Sequence, residues 1–131
     1  MKTYTLLLGF FLFISSSLSA QIATPEITFE KLVHDFGKVQ QYGNTTVEFK
    51  FTNTGNQPLI ISNAEGSCGC TVPTWPQHPI APGQTGVIVV KYDSKRVGPF
   101  KKSVKIMSNA KNTPVVELRI QGTIIASSSS N

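Results

Sequence analysis

Two cysteines, Cys68 and Cys70, stand one residue apart in the stretch EGSCGCTVPTWP, and the chain has no others. Three chemistries use such a pair. A disulfide would close a very small ring across Gly69, whose missing Cβ opens backbone conformations that other residues avoid. So short a loop gains little chain entropy from its cross-link, and the bond would be comparatively easy to reduce. Alternatively, two thiolates would bind Cu(I). Zinc asks for two further ligands, and the chain's two histidines, His34 and His78, would have to arrive from distant segments. Finally, a free thiol pair would serve thiol–disulfide exchange if a neighbouring group lowered a thiol pKa. An oxidising compartment favours the first chemistry. The spacing by itself leaves all three open.

Other catalytic constellations are sparse. Neither histidine lies at a diagnostic spacing from a cysteine nucleophile. The glycine-containing stretches GNTT and GQTG read as hairpin turns and lead into no helix that would cradle a phosphate. No pair of carboxylates has the setting of a glycosidase. The inventory points away from an enzyme. His34–Asp35 is the second candidate: with Phe36–Gly37 it ends a strand, where Asp35 would accept hydrogen bonds from backbone amides of the following turn and His34 would pack. In TWPQHPIAPGQ, a proline-rich loop, His78 is expected to be exposed and Trp75 to pack against the loop or the core. Pro82 and Gly83 read as a turn that opens the next strand.

The elements that must position these residues are strands. TTVEFKFTN alternates, with Val47, Phe49 and Phe51 on one face and Thr46, Glu48, Lys50 and Thr52 on the other. A turn follows, in which Gly55 and Asn56 tolerate positive φ, and LIISNA makes the next short strand. TGVIVVKYD sets Ile88, Val90 and Tyr92 against Val87, Val89 and Lys91. GPFKKSVKIMSN sets Phe100, Val104 and Ile106 against Lys101, Ser103 and Lys105. Lys102 falls on the apolar side of that alternation, which predicts a bulge or an edge position near it. VVELRIQGTI buries Val116, Leu118 and Ile120. Upstream, ITFEKLVHDFGKV supplies one long or two short strands before a turn at Tyr42–Asn44. About seven strands with Gly, Pro and Asn turns between them predict an all-β, immunoglobulin-like antiparallel sandwich.

At the N-terminus, Lys2 precedes an uncharged apolar run from Tyr4 to Ile14 and the small-residue stretch SSSLSA. That is the pattern of a secretory signal peptide over residues 1–20, with cleavage after Ser19 or Ala20, too short to span a bilayer. No cysteine follows it to carry a lipid. The mature chain is expected to be exported, periplasmic or extracellular, and without a membrane anchor. One domain would then occupy residues 21–125, and the serine-rich tail at 126–131, with nothing to bury, should be disordered. Without Lys2, 11 basic residues face 7 acidic ones, and seven of the basic ones lie between Lys91 and Lys111. No aromatic residues interleave with them to stack bases. They read as a solvated strand face rather than a nucleic-acid stripe.

Taken in order, HDFGKV, FKFTNTGNQPLIIS, SCGCTVP, PIAPGQTGVIVVKYDS, VGPFKKSVKIMSN and LRIQGT resemble the bacterial exported family called domain of unknown function 1573, over residues 27–124. The positions that carry the resemblance are His34, Asp35, Phe36, Gly37, Asn53, Gly55, Cys68, Gly69, Cys70, Thr71, Pro82 and Gly83. It implies a sandwich related to PapD-like, major-sperm-protein-like and ASH domains, and it implies no reaction. The expected function is a non-catalytic exported module for protein interaction, adhesion or scaffolding. Its partner would be a protein or a cell-surface component, and strand addition at an open sheet edge is one route to it. The competing expectation is a copper- or zinc-binding or thiol-redox protein that uses Cys68 and Cys70, with His34 as a helper.

Overall fold

A computed structural model of the chain describes residues 16–128, so most of the signal-peptide segment and the last three residues of the tail lie outside the described residues. Ser16–Ile22 and Ala126–Ser128 are exposed and form no strand or helix. Between them run eight strands: β1 (Ile27–Phe29), β2 (Val33–Gln40), β3 (Thr46–Asn53), β4 (Ile61–Gly66), β5 (Thr71–Thr74), β6 (Thr85–Tyr92), β7 (Gly98–Ser108) and β8 (Val115–Ile125). They form two four-stranded sheets, ordered β1-β3-β6-β5 and β2-β8-β7-β4. No described helix is long and apolar enough to cross a membrane.

The alternation read from the sequence is the alternation of the core. Phe49, Phe51, Ile88 and Val90 from the first sheet are fully buried, and Val104, Ile106, Leu118 and Ile120 from the second lie at 1 % exposure or less. Stacking those inner faces removes both apolar stripes from water, at about 25 cal/mol per Å² of apolar surface buried. Gly86 is part of the same packing. The Phe51 ring lies over it where a Cβ would stand.

Four local expectations change. The sequence suggested about seven strands; the eighth is β5, a four-residue strand that follows the cysteines directly and precedes the proline-rich loop. The antiparallel rule fails at β2, which pairs with β8 in parallel. Only Glu30–Leu32 separate β1 from β2, so the chain steps to the other sheet without reversing. Lys102 sits in an unbroken β7–β8 register opposite Ile120. The irregularities fall instead between Asp35 and Lys38 on β2 and between Ile61 and Asn63 on β4. Gly55 does not have positive φ. Its role is close approach, because a Cβ there would run into the backbone of Thr24 and Glu26.

Asn53, at the end of β3, is fully buried. Its Nδ2 donates to Gln57 O at 2.7 Å and Ile80 O at 2.9 Å, and its Oδ1 accepts from Gly55 N–H at 3.0 Å. One side chain thereby fixes both the β3–β4 turn and the loop that leads to β6. Gly83, at φ 78, makes the turn before β6, where Gln84 N–H bonds Ala81 O.

Candidate functional site

Cys68 and Cys70 occupy the crossover from β4 to β5, that is, from one sheet to the other. They are joined in a disulfide, with Cα atoms 5.2 Å apart, inside the usual disulfide span. Gly69 between them lies outside the left-handed region, and a Cβ there would meet no other atom within 4 Å. Gly66 is the tight position of this crossover, because Thr71 O lies where its Cβ would be. Thr71 is buried; its N–H bonds Cys68 O at 3.2 Å, and its hydroxyl lies 3.7 Å from each sulfur. Cys70 O then accepts from Asp93 N–H at 2.8 Å and ties the crossover to the end of β6.

The second sequence candidate lies elsewhere. His34 is on β2, at the far edge of β2-β8-β7-β4 from the β4 end that carries the cysteines. Among the described residues no three of His, Cys, Asp and Glu gather as metal ligands would, so His34 does not join the cysteine pair. Its Nδ1 lies 3.0 Å from Lys31 Nζ, and its ring meets Phe36 edge-on at 4.5 Å. Burial holds the His34 pKa below the ordinary imidazole value, the Lys31 ammonium lowers it further, and Asp35 opposes both. Asp35 makes the bulge: its Oδ1 accepts from Gly37 N–H at 2.7 Å, with Gly37 at φ 64, and its Oδ2 accepts from Gln121 at 3.1 Å. The Gln121 bond and then the Gly37 bond hold its carboxyl below the usual carboxylate range. Phe36, Phe100 and Tyr92 continue inward as a row of rings, 6.1 Å and 3.9 Å between centroids. This row packs the interior of the end where β6 meets the cysteine loop. His78 is exposed, as expected, and Trp75 packs partly buried against the core.

Three turns meet beside the disulfide and enclose a concavity of about 750 Å³. Its floor is one row across the first sheet, Thr46–Lys91–Val72, set by the β3–β6 and β5–β6 registers. Its walls are the Tyr42–Asn44 turn, Gly69–Cys70, and Asp93–Lys95. Hydrogen bonds tie the walls together: Tyr42 N–H to Ser94 O at 3.1 Å, Gln41 Nε2 to Lys95 O at 2.9 Å, and the buried Thr45 hydroxyl to Tyr92 O at 2.6 Å. Sequence reading singled out the cysteines of this wall and missed the rest, because Tyr42 and the Lys91–Lys95 stretch lie some fifty residues apart with no shared spacing.

The sheet edges decide how another chain could pair with the sandwich, and three of the four are obstructed at particular residues. In β1, the outward N–H and C=O of Ile27 are both taken by the Asn112 amide, at 3.0 and 2.8 Å. In β4, Ala64 N–H bonds the Asn63 side chain at 2.9 Å. In β5, the Asp93–Cys70 bond fixes which residues face β6, leaving Thr71 and Pro73 directed outward. Thr71 N–H is already used by Cys68 O, and Pro73 has no N–H. The β2 edge differs. Arg119 N–H bonds Leu32 O at 2.8 Å, so the parallel ladder turns the backbone groups of Val33 and Asp35 away from β8. Nothing among the described residues pairs with them, and Leu32 and Val33 are 49 % and 51 % exposed.

This architecture is an immunoglobulin-like β-sandwich of two four-stranded sheets. Within that class the chain belongs to the family described as a protein of unknown function, DUF1573, which matches residues 27–124. Solved structures share the fold. A protein of unknown function from Porphyromonas gingivalis W83 superposes with TM-score 0.69 at 14% identity, over 82% of this chain and 51% of that one. The VesB protease of Vibrio cholerae gives 0.63 at 14% identity, over 75% and 32%. The ASH/PapD-like domain of human CEP192 gives 0.63 at 7% identity, over 98% and 99%. The chain thus spans about half of the first of these and a third of the second. At such identities the likeness is one of fold alone. A search of curated proteins returns no match.

Proposed function

We propose that the protein is an exported, non-catalytic interaction module that binds its partner by accepting an extended segment along the outer edge of β2. The observation that carries this reading is the contrast among the edges: Asn112, Asn63 and Pro73 each obstruct one of the other three, while Val33 and Asp35 hold unpaired N–H and C=O groups beside exposed Leu32 and Val33. Main-chain pairing gives such a contact its affinity, and the Val33 and Leu32 side chains add apolar contact. The bulge at Asp35–Gly37 limits the open stretch to a few residues and so discourages indiscriminate sheet growth. The cysteine pair is structural in this account: the disulfide holds the β4–β5 crossover, and among the described residues no third ligand stands beside it.

The test is a photo-crosslinking amino acid at Val33, and at Glu48 on the opposite sheet as control, in the protein expressed in its own cells. A defined adduct from Val33 that is absent from Glu48 and weakened by Leu32→Lys, a change at a half-exposed side chain, supports edge pairing. Equal adducts from both positions, or an adduct unaffected by Leu32→Lys, would sink it.

A further inference from the structure

The concavity beside the disulfide has features that the β2-edge reading does not use. Tyr42 has φ 66, in the left-handed region. It sits in a turn closed by Gly43 N–H to Gln40 O at 2.8 Å. Left-handed backbone is unfavourable for a tyrosine, and the ring recovers little through burial, since Tyr42 is 70 % exposed. A strained, exposed aromatic on the wall of a concavity points to a contact made outside the chain. Across the floor lies Lys91, flanked in register by Thr46 and Val72, and Lys95 lines the wall that is hydrogen-bonded to the Tyr42 turn. Asn44 Oδ1 is committed to Thr46 N–H, which leaves its amide nitrogen free to donate. Asp93 Oδ1 is committed to Lys95 N–H.

We infer that this concavity binds an anionic saccharide, a uronic-acid-containing glycan chain, with Tyr42 under the sugar ring and Lys91 and Lys95 on its carboxylate. An aromatic face packs against the C–H face of a pyranose, hydroxyl and amide groups answer its hydroxyls, and two ammonium groups answer a negative charge. An extended acidic peptide fits less well. The sheet edge that borders the concavity is β5, whose outward donors are absent or used, so a peptide backbone finds no ladder there. Nucleic acid would ask for several stacking aromatics, and the lining has Tyr42 as its one exposed ring.

The experiment is calorimetric titration of the mature protein at physiological salt with short oligomers of galacturonate, glucuronate and mannuronate. Neutral maltotriose and polyglutamate serve as comparisons. Binding of at least one uronate oligomer is expected, about tenfold or more tighter than either comparison. Tyr42→Gly suits the left-handed backbone and removes the ring; it should weaken that binding about tenfold while leaving Tm unchanged or raised. Lys91→Gln should weaken it to a similar degree and flatten its salt dependence. The inference is overturned if no uronate oligomer binds at millimolar concentration, if polyglutamate binds equally well, or if well-folded Tyr42→Gly binds like the wild type.

Discussion

Asn53→Ala should be among the most damaging polar substitutions in the domain, and its cost can be built from the structure. The side chain is fully buried and makes three hydrogen bonds, to Gln57 O, Ile80 O and Gly55 N–H. A typical intramolecular hydrogen bond contributes about 1 kcal/mol net, so the three together give roughly 3 kcal/mol. Two details keep the figure from rising further. Ile80 O keeps a second partner in Leu59 N–H at 2.9 Å, and Gln57 is exposed, so its carbonyl can turn to water. The void left by the amide adds up to about 1 kcal/mol. Against a domain stability of about 5–15 kcal/mol this is a large fraction. Urea denaturation followed by far-UV circular dichroism would read the change as a lowered midpoint with an unchanged m-value. Asn53→Asp is the companion experiment. It keeps the acceptor for Gly55 but places a carboxylate against two carbonyls in a buried site, which raises its pKa. That variant should therefore gain stability relative to wild type as pH falls through the raised pKa, a trend opposite to a simple loss of packing. A cost below about 1 kcal/mol for Asn53→Ala would refute the view that this one side chain holds both loops.

Five further outcomes are expected. Tyr42→Gly should be neutral to stabilising by about 1 kcal/mol in thermal melts, the relief of left-handed strain outweighing the extra freedom of the unfolded chain; a loss of more than about 1 kcal/mol would mean that the ring packs after all. Intact-mass analysis of the mature protein, alkylated without reductant, should show no adduct and a deficit of two hydrogens, and two adducts would return metal or thiol chemistry to first place. Cys68→Ser, opening a three-residue loop, should cost no more than about 1.6 kcal/mol on the chain-entropy estimate, whereas Phe49→Ala, at zero exposure, should cost about 3–5 kcal/mol. Because the folded His34 pKa lies below its unfolded value, the unfolded chain takes up the proton first as pH falls below about 6.5. Stability should decline across that window until the folded pKa is passed, and His34→Asn should flatten the decline in denaturation at pH 7.5 and 5.5.

The alternation of apolar residues along β3, β6, β7 and β8 determined the inner faces without reference to tertiary structure. A period of two puts every other side chain on one side of a strand, and only one side can be buried. Asp35 was likewise legible as a turn-making carboxylate, because an Asx-type bond to an amide two residues on is local. Contacts between distant segments decided the rest. No local signal announces that β2 runs parallel to β8, since that follows from a short link between sheets. β5 was hidden because its proline faces outward, where a strand tolerates one, and only the pairing with β6 fixes that orientation. The separation of His34 from the cysteines and the obstruction of β1 by Asn112, 85 residues away, are facts of topology. So is the concavity that gathers Tyr42, Lys91 and Lys95 beside the disulfide. Residue types set which faces must be buried; the packing of two sheets set which distant side chains meet.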